Sequence, residues 1–441
     1  MFIEFQIGNF RSFRDSQKFT MQAAPLRSND IGLEEGNVFT ASGYRLLKTK
    51  GIYGANASGK SNLRKAIAIF LHMVSKSVSQ EHLTKQIWDE RFQLINEWDH
   101  EPIFFQYTFL LDETVYRYGF QINDGIISYE WLFGKEEKGD EGEYFMRTSE
   151  KLQIDDKLFL GSGIYMDLAK SGDNELFRPD ALFLTGAALN GNKFAKSIRN
   201  EIINLAVIDG LDDSAAVQAA IRVLTKGTDQ EKAALKDLIR ASDTGVSDIK
   251  FLKVPDSIME RAVIQRDRES TAEDEEWHAL FSVHSKYDDD GNIVDEISVP
   301  FDEWESEGTS KILGIGAVIL RSLRSGKAIV IDEFDARFHP NLTLKIVQLF
   351  NSSKTNPHNA QLIFITHDSG LLRRAELRRD QICLINKDRF GISSIHTLIE
   401  YKGVRKDASY EKEYLNGSYE AVPYLDAIDE EIIKKIDKDG L

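Results

Sequence analysis

The sequence has a single cysteine, Cys383, so it cannot form a disulfide within the chain. A chain without a disulfide framework fits a reducing compartment, and we expect a cytoplasmic protein. Cys383 lies in the apolar run Gln381–Ile385, where a lone cysteine usually packs in a core, so we expect no catalytic thiol there. Histidine and cysteine pairs at the spacing of a zinc site are also missing from the sequence.

Long hydrophobic runs are missing as well. No stretch approaches the roughly 18 apolar residues of a transmembrane helix, so no membrane partner is expected. The start, Met1–Phe13, alternates like a strand and has no basic segment followed by an apolar core, which is unlike a signal peptide. Apolar heptads are not sustained, which argues against long coiled-coil arms.

The sequence has few basic residues relative to acidic ones, 55 against 71, and its formal net charge is −16. A protein that acts mainly through non-specific DNA affinity is normally basic, because contacts to phosphates dominate that binding. A local basic patch would still suffice for DNA. Basic residues cluster at Arg373–Arg374, at Arg378–Arg379 and at Lys402, Arg405 and Lys406. They form either a solvated, salt-bridged face or a docking surface for a partner or nucleic acid.

A Gly-rich motif, Gly54–Ser61, matches G-x-x-x-x-G-K-[ST] without deviation. It follows an apolar strand and precedes a predicted helix over residues 60–76, which is the context that a phosphate loop requires. Its backbone N–H groups turn towards phosphate oxygens, and the helix directs its positive end at the same anion. Lys60 is expected to reach the β- and γ-phosphates, and the Ser61 hydroxyl to bind Mg²⁺. The candidate nucleotide-binding residues here are Gly54, Asn56, Ser58, Gly59, Lys60, Ser61 and Asn62.

A pair of acids ends a predicted buried strand, where the apolar run Ala328–Ile331 leads into Asp332 and Glu333. In a parallel sheet both acids would lie at the carboxyl edge, where ligands bind. Asp332 is expected to hold Mg²⁺ through water, and Glu333 to polarise the attacking water as general base.

A histidine follows the next apolar strand, since Gln361–Ile365 leads into Thr366 and His367. This order places His367 near the γ-phosphate, where it can sense the phosphate or hold the water. We therefore predict Glu333, His367 and Lys60 as the catalytic residues.

A Ser-x-Gly turn, Ser306 to Gly308, lies at the start of a predicted apolar helix and is another preformed anion site. It is either an ordinary helix cap or a contact for a nucleotide bound to a neighbouring subunit, because the chain's own phosphate loop already serves one phosphate. Asp335, just after the acidic pair, is in position to cross the same subunit interface.

The order phosphate loop, Ser-x-Gly, Asp-Glu, Asp, His resembles the ABC ATPase superfamily, and the spacings agree as well. The superfamily's signature is usually LSGGQ, whereas Glu305–Lys311 reads ESEGTSK, so only Ser306 and Gly308 carry over. The resemblance implies ATP and Mg²⁺ as cofactors, with ATP hydrolysed at sites that two copies share. A homodimer or a higher homo-oligomer is therefore expected.

The long separation between Ser61 and Ser306 resembles the split heads of SMC and RecF-like ATPases, whose chains also open with a strand such as IEFQIGNFRSF. Within that strand, Arg11 becomes a candidate nucleotide contact. Gln93 and Gln106 are both candidates for the glutamine of the family's Gln-loop.

The resemblance implies an α/β fold, an ABC-type P-loop ATPase head with an antiparallel β-subdomain and an inserted helical subdomain. We predict helices near 188–205, 214–224, 229–241 and 426–438. The expected segments are an N-terminal ATPase lobe with the phosphate loop and antiparallel sheet (1–134), an inserted mixed, largely helical region (135–300), a C-terminal ATPase lobe (301–400) and a tail that could dock a partner (401–441).

Longer stretches are similar to compact bacterial ATPases of the AAA-15/AAA-21 class, in particular RloA-like proteins and the ATPase subunit of PARIS-type anti-phage systems. They include GIYGANASGKSN, IDEFDARFHP, FITHDSGLL and KGVRKDASYEKEYLNGSYEAVP. The likeness implies a sensor or scaffold of a defence system that controls a separately encoded, nuclease-like effector after a nucleic-acid or phage-protein trigger. The alternative is a DNA-repair ATPase of RecF-like type that binds DNA directly.

A nuclease within this chain is not expected. The roughly 70 residues after His367 are too few for a TOPRIM-like domain in addition to the end of the ATPase sheet. The acidic run Asp288–Gly291 is typical of a hairpin turn.

Overall fold

The computed structural model describes residues 1–26, 35–95, 98, 100–161, 163, 165, 178–212, 214–253, 278–404 and 409–423. The predicted tail helix at 426–438 lies outside the described residues, as do Arg405 and Lys406.

The strands and helices are numbered separately in chain order. The strands are β1 (Phe2–Gly8), β2 (Gln17–Thr20), β3 (Val38–Ala41), β4 (Tyr44–Leu47), β5 (Thr49–Tyr53), β6 (Ile103–Leu111), β7 (Thr114–Asn123), β8 (Ile126–Glu136), β9 (Gly142–Thr148), β10 (Leu152–Ile154), β11 (Ala206–Asp209), β12 (Asp248–Lys253), β13 (His278–Tyr287), β14 (Ile293–Pro300), β15 (Ala328–Asp332), β16 (Gln361–Ile365), β17 (Ile382–Lys387) and β18 (Ser393–Thr397). The helices are α1 (Lys60–Lys76), α2 (Leu83–Trp88), α3 (Phe183–Leu189), α4 (Lys193–Ile203), α5 (Ser214–Lys226), α6 (Asp229–Ala241), α7 (Phe301–Trp304), α8 (Glu307–Ser325), α9 (Pro340–Phe350), α10 (Leu371–Arg374) and α11 (Tyr410–Leu415).

Two large sheets organise the described residues. Seven strands in the order β10-β9-β8-β7-β6-β1-β2 form an antiparallel sheet, and six in the order β11-β15-β16-β5-β17-β18 form the second sheet. In the second sheet β11, β15, β16, β5 and β17 run parallel, and β18 pairs antiparallel at the edge. Strands β12, β13 and β14 form a smaller sheet.

The central strands β15 and β16 are nearly continuous apolar runs because both faces of their sheet are covered. Successive residues of a strand point to opposite faces, and β15 follows this rule. Val330 packs in the core on one face, and Ile329 and Ile331 pack in the core on the other. The carboxyl ends of these strands are therefore held in one plane by packing on both sides.

Helix α1 begins at the phosphate loop and fills the space between the two large sheets. Its buried face includes Leu63, Ile67 and Phe70, and the Phe70 ring stacks on Phe120 of β7 with centroids 5.4 Å apart. The antiparallel sheet thus fixes the helix that follows the Gly-rich loop. On the opposite side of the parallel sheet, α8 and α9 cover the strands, and α8 also shares a core with α5 and α6.

One sequence expectation about the middle region is corrected. The helix predicted at 188–205 is two helices, α3 and α4, because Gly191 adopts a left-handed φ of +88° and Asn192 caps α4 by accepting a hydrogen bond from Ala195 N at 2.8 Å. In addition, the region 135–300 contributes strands to both large sheets, since β9 and β10 extend the antiparallel sheet and β11 joins the parallel sheet. The predicted turn at Asp288–Gly291 does connect β13 to β14.

Candidate functional site

A cleft of about 710 Å³ opens at the carboxyl edge of the parallel strands. It is lined by residues 56–62, Glu333, His367 and Lys387. The loop 54–59 joins β5 to α1, whereas Glu333 follows β15, His367 follows β16 and Lys387 ends β17. Because these strands are adjacent, four segments that are far apart in the sequence meet at one place.

Lys60, the first residue of α1, points its side chain back to the loop. Its Nζ donates to the carbonyl oxygens of Gly54 at 2.8 Å and Ala55 at 2.9 Å. Burial lowers the pKa of the Lys60 ammonium, and the carboxylates of Glu333, Asp332 and Asp335 oppose that shift. The ammonium is thus held among the acids that the sequence analysis assigns to the γ-phosphate end of a nucleotide.

Two serines outside the motif, Ser12 and Ser393, form hydrogen bonds with the phosphate loop and the start of α1. Ser393 Oγ donates to Ser58 O at 2.6 Å and lies 2.8 Å from Ser12 Oγ, and Asn62 Nδ2 donates to the same Ser12 oxygen at 2.8 Å. Gly59 adopts φ +117°, and a Cβ there would lie 2.9 Å from Ser12 Oγ. The tight packing explains why this position is glycine. Sequence reasoning missed Ser393, which carries no motif.

Arg11, a candidate nucleotide contact, is engaged elsewhere. Its Nη2 pairs with Glu90 Oε2 at 2.6 Å, and its backbone N–H donates to Glu90 O at 2.7 Å. Arg11 does not line the cleft.

The glutamines proposed for the Gln-loop also lie away from the cleft. Gln106 Oε1 accepts hydrogen bonds from Arg117 and Trp131 within the antiparallel sheet, and Gln93 Nε2 donates to Asp89 O. Neither position supports that assignment.

Asp332 is buried at the end of β15, where it contacts both Glu333 and helix α1. Its Oδ1 accepts from Glu333 N at 3.0 Å, and its Oδ2 is 3.4 Å from Arg64 Nε. Arg64, one turn after Lys60 on α1, also pairs with Asp209 at 2.7 Å. Arg64 therefore ties α1 to the ends of β15 and β11, a role that no motif indicates.

Glu333 has a strained backbone with a left-handed φ of +45°. The buried Lys311 of α8 holds that conformation, because its Nζ donates to Glu333 O at 2.7 Å and to Ala336 O at 2.6 Å. The Glu333 Oε1 lies 4.0 Å from His367 Nε2. Both side chains are partly exposed to the cleft, at 29% and 40%.

Asp335, expected to cross a subunit interface, makes its observed hydrogen bonds within the chain. Its Oδ1 accepts from Thr366 Oγ1 at 2.6 Å and from His367 N at 3.0 Å. The carboxylate therefore positions the backbone of His367, and any contact to a second subunit stays a prediction.

Ser306 and Gly308 lie outside the cleft of their own chain. Ser306 is exposed and caps α8, with its Oγ accepting from Thr309 N at 3.1 Å. A Cβ at Gly308 would lie 2.9 Å from Arg337 O. The start of α8 is thus packed beside the loop that follows Glu333, but it does not reach the phosphate loop.

The basic cluster after His367 is largely neutralised internally. Arg373 pairs with Glu411 at 3.2 Å, Arg374 with Asp368 at 3.0 Å and buried Arg378 with Asp380 at 2.8 Å. Arg379 Nη1 lies 3.4 Å from Val404 O. These pairs favour the salt-bridged interpretation over a docking surface.

A single family model spans the phosphate loop, helix α8 and the acids that follow β15. The profile of AAA_21, described as "AAA domain, putative AbiEii toxin, Type IV TA system", matches residues 51–373. The chain belongs to this family. The α/β fold with an antiparallel β-subdomain, predicted from the sequence, is confirmed for this AAA_21 protein.

Solved structures are also similar to this AAA_21 chain. The SMC head domain from Thermotoga maritima aligns at 10% identity with a TM-score of 0.40, covering 90% of this chain and 98% of that one. The recombination mediator protein RecF in the RecFOR pathway aligns at 13% identity with a TM-score of 0.33, covering 90% and 97%. No curated protein matches the sequence.

Three further features bear on the chemistry available to the AAA_21 chain. Burial raises the pKa of the Cys383 thiol to about 12, which excludes a reactive thiolate there. Across the described ranges, no helix combines the length and apolar character that spanning a membrane takes. The same residues contain no group of three or more His, Cys, Asp or Glu side chains that could hold a metal ion.

Proposed function

We propose that the chain binds ATP with Mg²⁺ and hydrolyses it at sites shared by two copies. The supporting observation is the division of the motifs. Lys60, Glu333 and His367 line one cleft, whereas Ser306 and Gly308 of the same chain lie outside it. A second copy would bring its own α8 start, with its free N–H groups, to the outer side of the nucleotide.

Within this proposal the cleft residues have distinct roles. The loop N–H groups and Lys60 bind the phosphates, and Glu333 accepts the proton of the attacking water as general base. His367 lies beside Glu333, where it can hold that water or contact the γ-phosphate. Lys311 and Asp335 are positioning residues, since they hold the backbones of Glu333 and His367.

Ser61 and Asp332 could hold Mg²⁺ only together with phosphate oxygens of the bound nucleotide. Mg²⁺ prefers oxygen ligands and is commonly held by one or two protein groups together with phosphates and water. Ser61 supplies a hydroxyl in the cleft, and Asp332, buried next to Glu333 and outside the cleft lining, supplies a carboxylate. The described residues contain no larger cluster of such ligands. When bound, Mg²⁺ would neutralise charge on the β- and γ-phosphates.

The Lys311→Met variant is expected to lose ATP hydrolysis by about tenfold or more while still binding ATP. The substitution removes two charged hydrogen bonds, each worth about 1.5–3 kcal/mol, so Glu333 would relax from its left-handed conformation. The rate of phosphate release measures hydrolysis, and titration with nucleotide measures ATP binding. Lys354→Met, at an exposed position, is the matched control. Unchanged hydrolysis in Lys311→Met would show that this lysine does not position Glu333.

For the biological role, we propose a sensor or scaffold in a bacterial anti-phage system, acting with a separately encoded effector and related to RloA-like and PARIS-type ATPases. The family description, which names a Type IV TA system, fits a protein that works with a partner. The internally paired arginines of the C-terminal lobe give little support to direct DNA binding.

Purification of the tagged Glu333→Gln variant from its native host, with ATP and Mg²⁺, tests this role. We expect mass spectrometry to identify a stoichiometric nuclease-like protein, and we expect Lys60→Ala, which should not hold ATP, to lose it. Recovery of this chain alone would count against an effector. Recovery of nucleic acid, together with DNA-stimulated hydrolysis that falls steeply with salt, would instead favour the RecF-like alternative.

A further inference from the structure

We propose that Phe390, with Leu94 beside it, forms the stacking surface for the purine base of the bound nucleotide. The inference rests on the proposed ATP site and adds the part that recognises the base. Neither residue belongs to a sequence motif discussed above.

The cleft itself offers little to a base. Its lining consists of Asn, Ser, Gly, Lys, Glu and His residues and one alanine, Ala57. Such groups suit phosphates and a metal ion, whereas the flat face of a purine gains most from an aromatic or apolar surface. The base is therefore expected to extend beyond this lining to a neighbouring apolar surface.

The strand order shows on which side that surface should lie. Glu333 follows β15 and His367 follows β16, so the γ-phosphate end faces these two strands. The phosphate loop follows β5, and the next strand on the other side is β17, which ends at Lys387. Since neighbouring strands are about 4.8 Å apart, the nucleoside end of an ATP that spans the loop points towards the hairpin of β17 and β18.

Both ends of this hairpin turn are attached to the cleft. Lys387 lines the cleft, and Ser393 Oγ donates to Ser58 O of the phosphate loop at 2.6 Å. Between them, Asp388 Oδ1 accepts from the N–H groups of Phe390 and Ile392, each at 2.9 Å. These bonds fix a tight turn that carries Phe390 at its tip.

Two large apolar side chains are exposed at this turn. Phe390 is 53% exposed, and Leu94, which packs against Gly391, is 66% exposed. The Arg389 guanidinium lies 4.7 Å from the centroid of the Phe390 ring. An exposed aromatic ring is a surface on which a planar base can stack. A planar base that covers Phe390 and Leu94 would remove both from water.

Calorimetric titration of the full chain with adenylyl imidodiphosphate and with inorganic tripolyphosphate tests the proposal. We expect Phe390→Ala to weaken binding of the nucleotide about 5- to 150-fold, the range for loss of one base–aromatic stack, and to leave tripolyphosphate binding unchanged. Phe390→Trp should restore nucleotide binding. Tyr287→Ala, which removes an aromatic ring that is 63% exposed on another hairpin, is the matched control.

The possible failures are distinguishable. If Phe390→Ala binds nucleotide as the wild type does, or loses tripolyphosphate equally, the stacking role is wrong and the ATP site stands. If the wild-type chain binds neither ligand, the proposed function itself is wrong.

Discussion

The Glu333→Gln variant is expected to hydrolyse ATP about 100- to 10,000-fold more slowly than the wild type, the range for loss of a positioned general base. Glutamine keeps the size of the side chain and its place in the cleft, but it cannot take the proton of the attacking water. ATP binding should persist, because the loop and Lys60 are unchanged. Phosphate release at saturating ATP and calorimetry with ATP measure the two quantities.

The same variant should also accumulate as an ATP-bound dimer, because the nucleotide that joins two copies is no longer cleaved. Size-exclusion chromatography with light scattering, with and without ATP, detects that shift in mass. Glu143→Gln, at an exposed position of β9, is the control for removing one negative charge. Hydrolysis at the wild-type rate in Glu333→Gln would mean that another group activates the water, with His367 the nearest candidate in the cleft.

A mixture of Lys60→Ala and Ser306→Glu chains is expected to hydrolyse ATP, although each variant alone is inactive. Lys60→Ala removes the phosphate-binding ammonium, and Ser306→Glu places a negative charge where the partner's γ-phosphate would lie. In a mixed dimer one site carries both defects and the other carries neither. With random pairing, half of the dimers are mixed and half of their sites are intact, so about one quarter of wild-type activity should return.

Restored activity requires that the two motifs of one site come from different chains. If both motifs served the same chain, every site in the mixture would carry a defect and the activity would remain at background. Thermal denaturation of each variant verifies folding, since Ser306 also caps α8. Loss of that cap alone would cost about 1 kcal/mol, which is too little to unfold the protein.

The parallel sheet and the phosphate loop were predictable because their signals are local. A strand buried on both faces reads as an unbroken apolar run, and β15 and β16 do so. The loop motif fixes the start of α1 at Lys60, and the helix ends at Lys76 as the pattern predicts. Because parallel strands end at one edge, the sequence could also indicate that Glu333 and His367 lie near the loop.

What the sequence could not indicate are contacts made by residues without a motif or period. Lys311 is a fully buried lysine on an amphipathic helix, and only the fold shows that its ammonium binds the Glu333 carbonyl. Strand β11 has four residues, too few for a period to be visible. Asp335 illustrates a third limit, since its position in the motif gave no sign that its carboxylate binds Thr366 and His367 within the chain.

The position of β5 between β16 and β17 has a consequence for how the protein is made. Synthesis proceeds at about 5–20 residues per second, so roughly 15–60 s separate the emergence of β5 from that of its neighbour β16. During that interval the nascent chain already contains the complete phosphate loop, but the strand before it has neither partner. A ribosome that stops before Gln361 would therefore release a product that carries the motif, cannot form the cleft and exposes the unpaired edges of β5 to chaperones and proteases.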